Sequence, residues 1–546
     1  MSKPAAKDIT DVRAKTGRGK LRDALEGATQ IVRPAILELP APGCTSALKN
    51  RTGHATDPVV PITSIGTPNA WFCGTFKLVA EKYGAAINEE RNRSGIVVVK
   101  YINESFLAAT FGPEGDPENP IVYLTGENRF YEYDPAIGIF VFLPEPIFGE
   151  RISQRLLRCS SDSEGVDDSR LKFKLRDSAR TKGVVERARG VLCVPDNYFR
   201  PDEADFIACA NGMLRLQDLQ LLPFSPAYRR RNKLGVAYIA EATCPTFLET
   251  LLSPALDADD LDLLQRWCGQ ALTGINFGQR IMMISGTAGS GKGTLIRILR
   301  AIIGGRNVGS LRPRHLADRF EIGRHLDKTL LYGADVSENF LSVEGASALK
   351  SLTGGDPVTA ERKGSNATPE LVCRFNVVVT ANMLPTIKLE GDVEAWRRRL
   401  LVLIFRNEQP EVPIFDLPDR IIEQEGSGVL NWMLEGQRRG IVEGWRFPLT
   451  PRQQARVNSL LAESDSEGEF VRLCLVRDPE AVLTVEAAYV RYVEFCQEND
   501  WREYSRRKFG VLLNSLVARE VRLQVHHDIL DETGSVRRGW RGLRCN

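Results

Sequence analysis

The sequence predicts an α/β protein built on a parallel sheet flanked by helices, with an α+β region before it and a helix-and-ribbon module after it. Three observations carry this reading. Short apolar runs at Ile281 to Ile284, Thr329 to Ala334 and Phe375 to Ala381 alternate with helical patterns between about Cys244 and Phe405. A glycine-rich stretch, Gly286 to Thr294, separates the first run from a helical stripe. Near the end, Ser505 precedes Phe509, Leu512, Leu513 and Leu516 at helical spacing, and strand-like residues follow.

The bulk numbers fit such a chain. Its 546 residues exceed one ordinary domain and suggest about three or four. With 43% hydrophobic and 26% charged residues it has the composition of a globular protein with sizeable cores. No apolar run approaches the roughly 18 residues a membrane span needs, and Met1 to Asp23 has no apolar stretch of the kind a secretory signal carries. Eleven cysteines are scattered without the close spacing of a zinc knuckle or redox pair, which predicts reduced thiols in a cytoplasmic protein. The net charge of +2 gives no global case for nucleic acid, so any such case must be local.

In chain order, residues 1–58 read as a mobile basic tail, with Lys3, Lys7, Arg13, Lys15, Arg18, Lys20 and Arg22 among small and polar residues. Residues 59–243 mix short β-like runs, such as Ile96 to Tyr101 and Ile121 to Leu124, with Gly and Pro punctuation, an α+β pattern. Residues 244–410 hold the alternating strands and helices, and 411–449 extend them helically. In 450–546 the Ser505 helix is followed by alternating Val521, Leu523 and Val525, a turn at Glu532 to Ser535 and a strand with Trp540 and Leu543. That order resembles a winged helix.

All three central runs end in polar or Gly-rich elements, and open parallel sheets bind ligands beyond the carboxyl ends of their strands. Gly286-Thr-Ala-Gly-Ser-Gly-Lys-Gly-Thr294 fits a P-loop with the hydroxyl one place late. Gly286, Ala288, Gly289, Ser290, Gly291 and Gly293 supply backbone N–H groups that wrap ATP phosphates, Lys292 adds charge at the β/γ-phosphates, and the following helix aims its dipole at the same anion. Gly293 holds the place where a Ser or Thr usually binds Mg²⁺, which makes Thr294 the metal-ligand candidate. Asp335, at the end of an apolar strand, is the second, with Glu338 to polarise water; their roles are interchangeable on sequence alone. A lone Asp there is more often a helix cap, but its place downstream of a P-loop favours the metal. Asn382, at the tip of Phe375 to Ala381, suits holding the attacking water and sensing the γ-phosphate. Adenylate kinases share the Lys-Gly-Thr spelling, so the loop alone does not choose a function.

The order of the loop, the acidic strand, Leu352-Thr-Gly-Gly-Asp-Pro-Val-Thr-Ala-Glu-Arg-Lys363, Thr380-Ala-Asn382 and Trp396-Arg-Arg-Arg399 resembles superfamily 3 helicases, specifically the phage, plasmid and poxvirus primase-helicase family. Tyr131-Glu-Tyr-Asp134, Asn211-Gly212 and Cys244-Pro245 to Phe247 are similar to that family's helicase-associated region, and Leu430-Asn-Trp432 with Glu435-Gly436 extends the likeness downstream. The resemblance implies an AAA+ motor at 244–410 that assembles as a homo-oligomer, a hexameric ring, with ATP at subunit interfaces and single-stranded DNA in the channel. It implies that Arg362 and Lys363 form the basic tip of a channel hairpin that grips phosphates. It also implies that Arg398 or Arg399 reaches the neighbouring subunit as an arginine finger. In the C-terminal module, Arg506, Arg507 and Lys508 open a helix while Arg537, Arg538 and Arg541 lie on the wing, an arrangement for duplex DNA. No zinc-ligand cluster marks a primase domain in the first 200 residues, so a separate primase is expected. The expected function is an ATP-dependent DNA helicase for replication of a phage, plasmid or similar mobile element. The rivals are a DNA-binding initiator ATPase without processive unwinding and a small-molecule P-loop phosphotransferase.

Overall fold

Residues buried on both faces of a sheet read as continuous apolar runs, and the central runs do so because the sheet is covered on each side. The computed structural model describes residues 68–546 apart from 96, 163–172, 200–204, 313–314, 316–317, 319–320, 337–342, 360–369, 384–392, 408–413, 500, 502 and 531–533. Residues 1–58, expected to be a tail, lie outside the described residues. Five strands form the central sheet in the spatial order Val308–Ser310, Leu330–Gly333, Asn376–Ala381, Ile281–Gly286, Leu400–Phe405. Every neighbouring pair is parallel.

Side chains alternate across this sheet with the period of two that a pleated strand imposes. Met282, Ile284, Leu401 and Leu403 enter one core with the helices Ala258–Thr273, Lys292–Ile303 and Leu417–Val442. Ile281, Met283, Val377, Val379 and Val402 enter the other, with Val343–Gly354 and Pro451–Leu461. The helices Ala258–Thr273 and Leu417–Val442 approach so closely that a Cβ on Gly269 would run into the Gln437 main chain, and one on Gly436 into that of Gln265.

Upstream, Ile139–Leu143, Arg129–Asp134, Ile121–Leu124 and Cys193–Val194 form a mixed four-stranded sheet in that order. One face of it is covered by Glu145–Asp162 and Ser178–Val191, through Phe148, Ile152 and Val184. The strand expected at Ile96 to Tyr101 runs over Val97–Ile102 and pairs with Ile87–Arg91. A three-stranded meander, Phe206–Cys209, Gly212–Arg215 and Gln220–Leu222, shares its core with the glycine-loop helix through Ile207, Cys209 and Leu214. Arg231 ties the turn after Ile121–Leu124 to the segment before the Leu330–Gly333 strand: Nη1 donates to Glu127 Oε1 at 2.6 Å and Nη2 to the Leu326 carbonyl at 2.9 Å. Arg231 and Glu127 are buried together, a pairing that is costly to break from one side only.

Beyond the Pro451–Leu461 helix, the helices Ser466–Cys474, Val485–Glu498 and Arg506–Leu516 lie against a three-stranded antiparallel sheet. Its strands lie in the order Leu475–Thr484, Val536–Cys545, His526–Leu530. One expectation is corrected here. The alternating Val521, Leu523 and Val525 do not form a strand; Val517–Val521 continues the preceding helix as a wide turn, Arg522 ends it at φ +57°, and the strand begins at His526. The alternation instead records three side chains packing against the module's core. Among the described residues no helix is long and apolar enough to cross a membrane, and none of the ten described cysteines is in a disulfide.

Candidate functional site

The Ile281–Gly286 strand ends in the glycine-rich loop, and the Lys292–Ile303 helix starts at its far side. Gly289 and Gly291 have φ +81° and +97°, a region that a side chain makes costly. The helix is held by its apolar stripe, Leu295, Ile298, Leu299 and Ile302, all buried. Lys292, in the first turn, is only 5% exposed although it carries the charge of the loop. Its Nζ donates to the carbonyls of Gly286 (2.7 Å) and Thr287 (2.8 Å), and reaches Ser290 Oγ at 3.4 Å and Asn382 Oδ1 at 3.3 Å. Burial pushes its pKa below that of a free lysine, and the Asp335 carboxylate opposes the shift. Thr287, Ala288, Gly289 and Gly293 are exposed, Ser290 is buried and Thr294 is half-buried. A Cβ at Gly293 would meet nothing within 4 Å, so no packing requires glycine there.

Two neighbouring strands supply the other groups. Asp335 lies just past Leu330–Gly333, exposed, at φ +45°, a conformation that Asp tolerates better than most residues. Its N–H donates to Thr380 Oγ1 at 3.2 Å and the N–H of Val336 to the Thr380 carbonyl at 2.9 Å. Thr380 is buried in Asn376–Ala381, whose next residue, Asn382, is exposed beside Lys292. The connection from Ile281–Gly286 leaves across Asn376–Ala381 toward one edge of the sheet. The connection from Asn376–Ala381 crosses back over Ile281–Gly286 toward the other. Such reversals open a crevice at the carboxyl ends of adjacent strands. Lys292, Thr294, Asp335 and Asn382 all belong to this edge; Glu338 lies outside the described residues.

The arginine triplet is at the opposite edge, immediately before Leu400–Phe405. That strand has six residues, so at about 3.3 Å per residue the triplet lies roughly 20 Å from the loop of the same chain. Its members differ. Arg397 is bound to Asn458, to Asp465 Oδ2 at 2.7 Å and to Glu394 Oε1 at 3.2 Å. Arg399 Nη1 donates to the Ala395 carbonyl at 3.0 Å and Nη2 approaches Gln279 Oε1 at 3.5 Å. Arg398 is exposed, with a long 3.4 Å contact from Nε to the Glu394 carbonyl.

Arg362 and Lys363 lie outside the described residues, but the strands on either side of them, Pro357–Thr359 and Glu370–Val372, pair antiparallel. In the C-terminal module, Arg506 and Arg537 both engage Glu486, the latter at 3.7 Å, and Arg541 pairs with Asp528 at 3.0 Å. Lys508 Nζ stands 3.8 Å from the Tyr504 ring centre. Arg507 and Arg538 are exposed, and no ion pair holds either among the described residues. Sequence reasoning named Thr380 only within the Thr380-Ala-Asn382 motif and missed Asp465 and Glu486, whose parts depend on contacts between distant segments.

Residues 283–399 match a family of unknown function, DUF5906. That stretch runs from the loop strand through Asp335 and Asn382 to Arg399. Residues 150–253 match the D5 N terminal like family. No curated protein matches the chain. Among solved structures, the A-form apo structure of the NrS-1 C terminal region is 12% identical, with a TM-score of 0.45, over 78% of this chain and 97% of that one. The apo structure of its residues 305–718 is also 12% identical, with a TM-score of 0.43, over 80% and 98%. Scores below 0.5 do not establish a common fold.

Proposed function

We propose that the chain is an ATP-dependent DNA helicase of the AAA+, superfamily 3 type, acting as a homo-oligomeric ring during replication of a phage, plasmid or similar element in the cytoplasm. The carrying observation is the convergence of Lys292, Asp335 and Asn382 at one sheet edge while an exposed Arg398 lies at the other. Residues 244–410 are the motor in this reading, 411–449 its helical extension, 59–243 the helicase-associated domain and 450–546 a winged helix for duplex DNA. The match of 150–253 to the D5 N terminal like family supports the replication setting.

The residues fit MgATP. Thr294 and Asp335 are oxygen donors at the exposed edge, the ligand type that Mg²⁺ takes while keeping several waters and phosphate oxygens. Bound there, Mg²⁺ would neutralise charge on the β- and γ-phosphates. Lys292 turns its buried ammonium from the loop carbonyls to the same phosphates. Asn382 orients the attacking water, and a carboxylate of the 335–338 segment takes its proton as the γ-phosphoryl leaves ADP. Arg398 cannot reach this site in its own chain, so a ring brings it to the neighbour's.

A forked duplex with a labelled strand, assayed beside ATP turnover with and without DNA, tests the reading. Strand displacement with DNA-stimulated turnover is expected. DNA-stimulated turnover without displacement identifies the initiator-type ATPase instead, and turnover indifferent to DNA points to a small-molecule phosphotransferase.

The C-terminal module yields a second expectation. Among the described residues no ion pair holds Arg507 or Arg538, whereas Arg506 and Arg537 must leave Glu486 to meet phosphate. Arg507→Ala/Arg538→Ala should flatten the log–log salt dependence of duplex binding by about two. Glu486→Gln should strengthen binding and steepen that slope. Titrations at several salt concentrations measure both, and unchanged slopes would remove DNA from this face.

A further inference from the structure

Asp465 lies between the Pro451–Leu461 helix, which packs on the central sheet, and the Ser466–Cys474 helix, and its contacts run both ways. Toward the motor, Oδ2 accepts from Arg397 Nη2 at 2.7 Å, and the same guanidinium is held by Asn458 of the Pro451–Leu461 helix. Toward the module, Oδ2 accepts from Arg472 Nη2, also at 2.7 Å. Arg472 belongs to Ser466–Cys474 and approaches Glu520, beyond the end of Arg506–Leu516, at 3.7 Å. Those two helices meet at Phe470 and Phe509, whose ring centres are 5.9 Å apart and whose side chains are buried.

The site is built for this carboxylate. Arg397 and Asp465 are mostly buried, at 16% and 12% side-chain exposure, so salt screens their pairing weakly. A Cβ at Gly468 would collide with the Asp465 carboxylate, so glycine is what lets it face Arg397. Arg397 immediately precedes the exposed Arg398. Asp465 thus holds the residue next to Arg398, two positions before the Leu400–Phe405 strand begins. Contiguity alone does not establish coupling, and only a measured dependence between the two ends does.

We propose that Asp465 is a positioning residue coupling the C-terminal module to Arg398, so that DNA bound by the module sets the hydrolysis rate at the neighbouring subunit's site. This rests on the reading of Arg398 as acting in trans. DNA that draws on the basic opening of Arg506–Leu516 shifts that helix against Ser466–Cys474. The shift re-divides Asp465 between Arg472 and Arg397, and Arg398 follows.

The test uses the full chain and a short DNA duplex. Asp465→Asn keeps the shape and one acceptor while removing the charge. Basal kcat, the KM for ATP and duplex affinity are expected to stay within about twofold, while DNA stimulation of kcat falls at least about fivefold, the lower end of typical couplings. Asp465→Glu should recover part of the stimulation. A structural role alone would change basal turnover or duplex affinity and leave the stimulation ratio where it was. Full stimulation in a folded Asp465→Asn protein overturns the proposal. If Asp465→Asn unfolds the module, Arg397→Lys applies the same question from the motor side, because one ammonium cannot span Asn458 and Asp465. Lost stimulation there supports the coupling and retained stimulation overturns it. Arg398→Ala separates the two levels. Undiminished turnover in that variant removes the arginine in trans and the coupling with it. A dead Arg398→Ala beside a fully stimulated Asp465→Asn removes the coupling alone.

Discussion

Lys292→Ala is expected to lose ATP hydrolysis by roughly 10³-fold while the chain remains folded, the cost that removing one preorganised donor at developing charge can reach. The ammonium is buried among loop carbonyls and beside Asn382, where no water-exposed cation can substitute for it. Its low exposure also means that its interaction with phosphate is screened little by salt. The structural cost of the substitution is small by comparison. The lost hydrogen bonds go to two loop carbonyls next to exposed Thr287, Ala288 and Gly289, so water can replace the donor at about 1 kcal/mol. Circular dichroism and a thermal melt would show a native fold with a modest shift. Near-normal turnover in the folded variant would sink the assignment of this loop to ATP.

The central sheet was legible because its signals are local. A strand covered on both faces must be apolar throughout, so Ile281 to Ile284 and Phe375 to Ala381 stand out by composition alone. The glycines of the loop are legible because Gly289 and Gly291 adopt backbone angles that favour glycine. Gly436, singled out only by resemblance, has a physical reason in the close crossing of two helices. What the sequence could not disclose depends on pairs of distant residues. Thr380 reads as one more β-branched strand residue until its hydroxyl is seen holding the Asp335 backbone. The three arginines are equivalent in sequence and differ through their contacts with Glu394, Asn458, Asp465, Ala395 and Gln279.

The module at 450–546 was partly legible for the same reason. Ser505 and the spacing of Phe509, Leu513 and Leu516 fix the helix, and those three side chains are buried as the spacing requires. Val521, Leu523 and Val525 misled because a stretch leaving a helix can alternate its burial without pairing to a neighbour. Counting cations likewise overstated the free charge. Arg506, Arg537 and Arg541 face Glu486 or Asp528, acidic residues brought close by the fold of the sheet on the helices.

Mixing two inactive proteins is expected to restore ATP turnover if Arg398 serves a neighbour's site. Arg398→Ala should lower kcat about 10³-fold or more, the usual contribution of an arginine finger, and leave ATP binding largely intact. Binding survives because Lys292, Thr294 and Asp335 are at the other sheet edge, roughly 20 Å away at strand spacing. Lys292→Ala subunits retain a good Arg398 and lack the loop charge; Arg398→Ala subunits are the reverse. In a mixed ring some interfaces join an intact loop to an intact arginine, and only those turn over. At equal mixing about a quarter of interfaces qualify if subunits assort at random, so recovery should approach that share of wild-type turnover. The same mixture made with Arg399→Ala distinguishes the two arginines. Arg399 is tied to Ala395 and Gln279 within its own chain, so its loss should disturb the end of the sheet and be rescued poorly. Light scattering must show that the two variants assemble together. If they do and neither arginine variant regains turnover beside Lys292→Ala, no arginine crosses between subunits. An exposed Arg398 at the wrong edge of its own sheet would then have no part in hydrolysis, because no other route brings it to a phosphate.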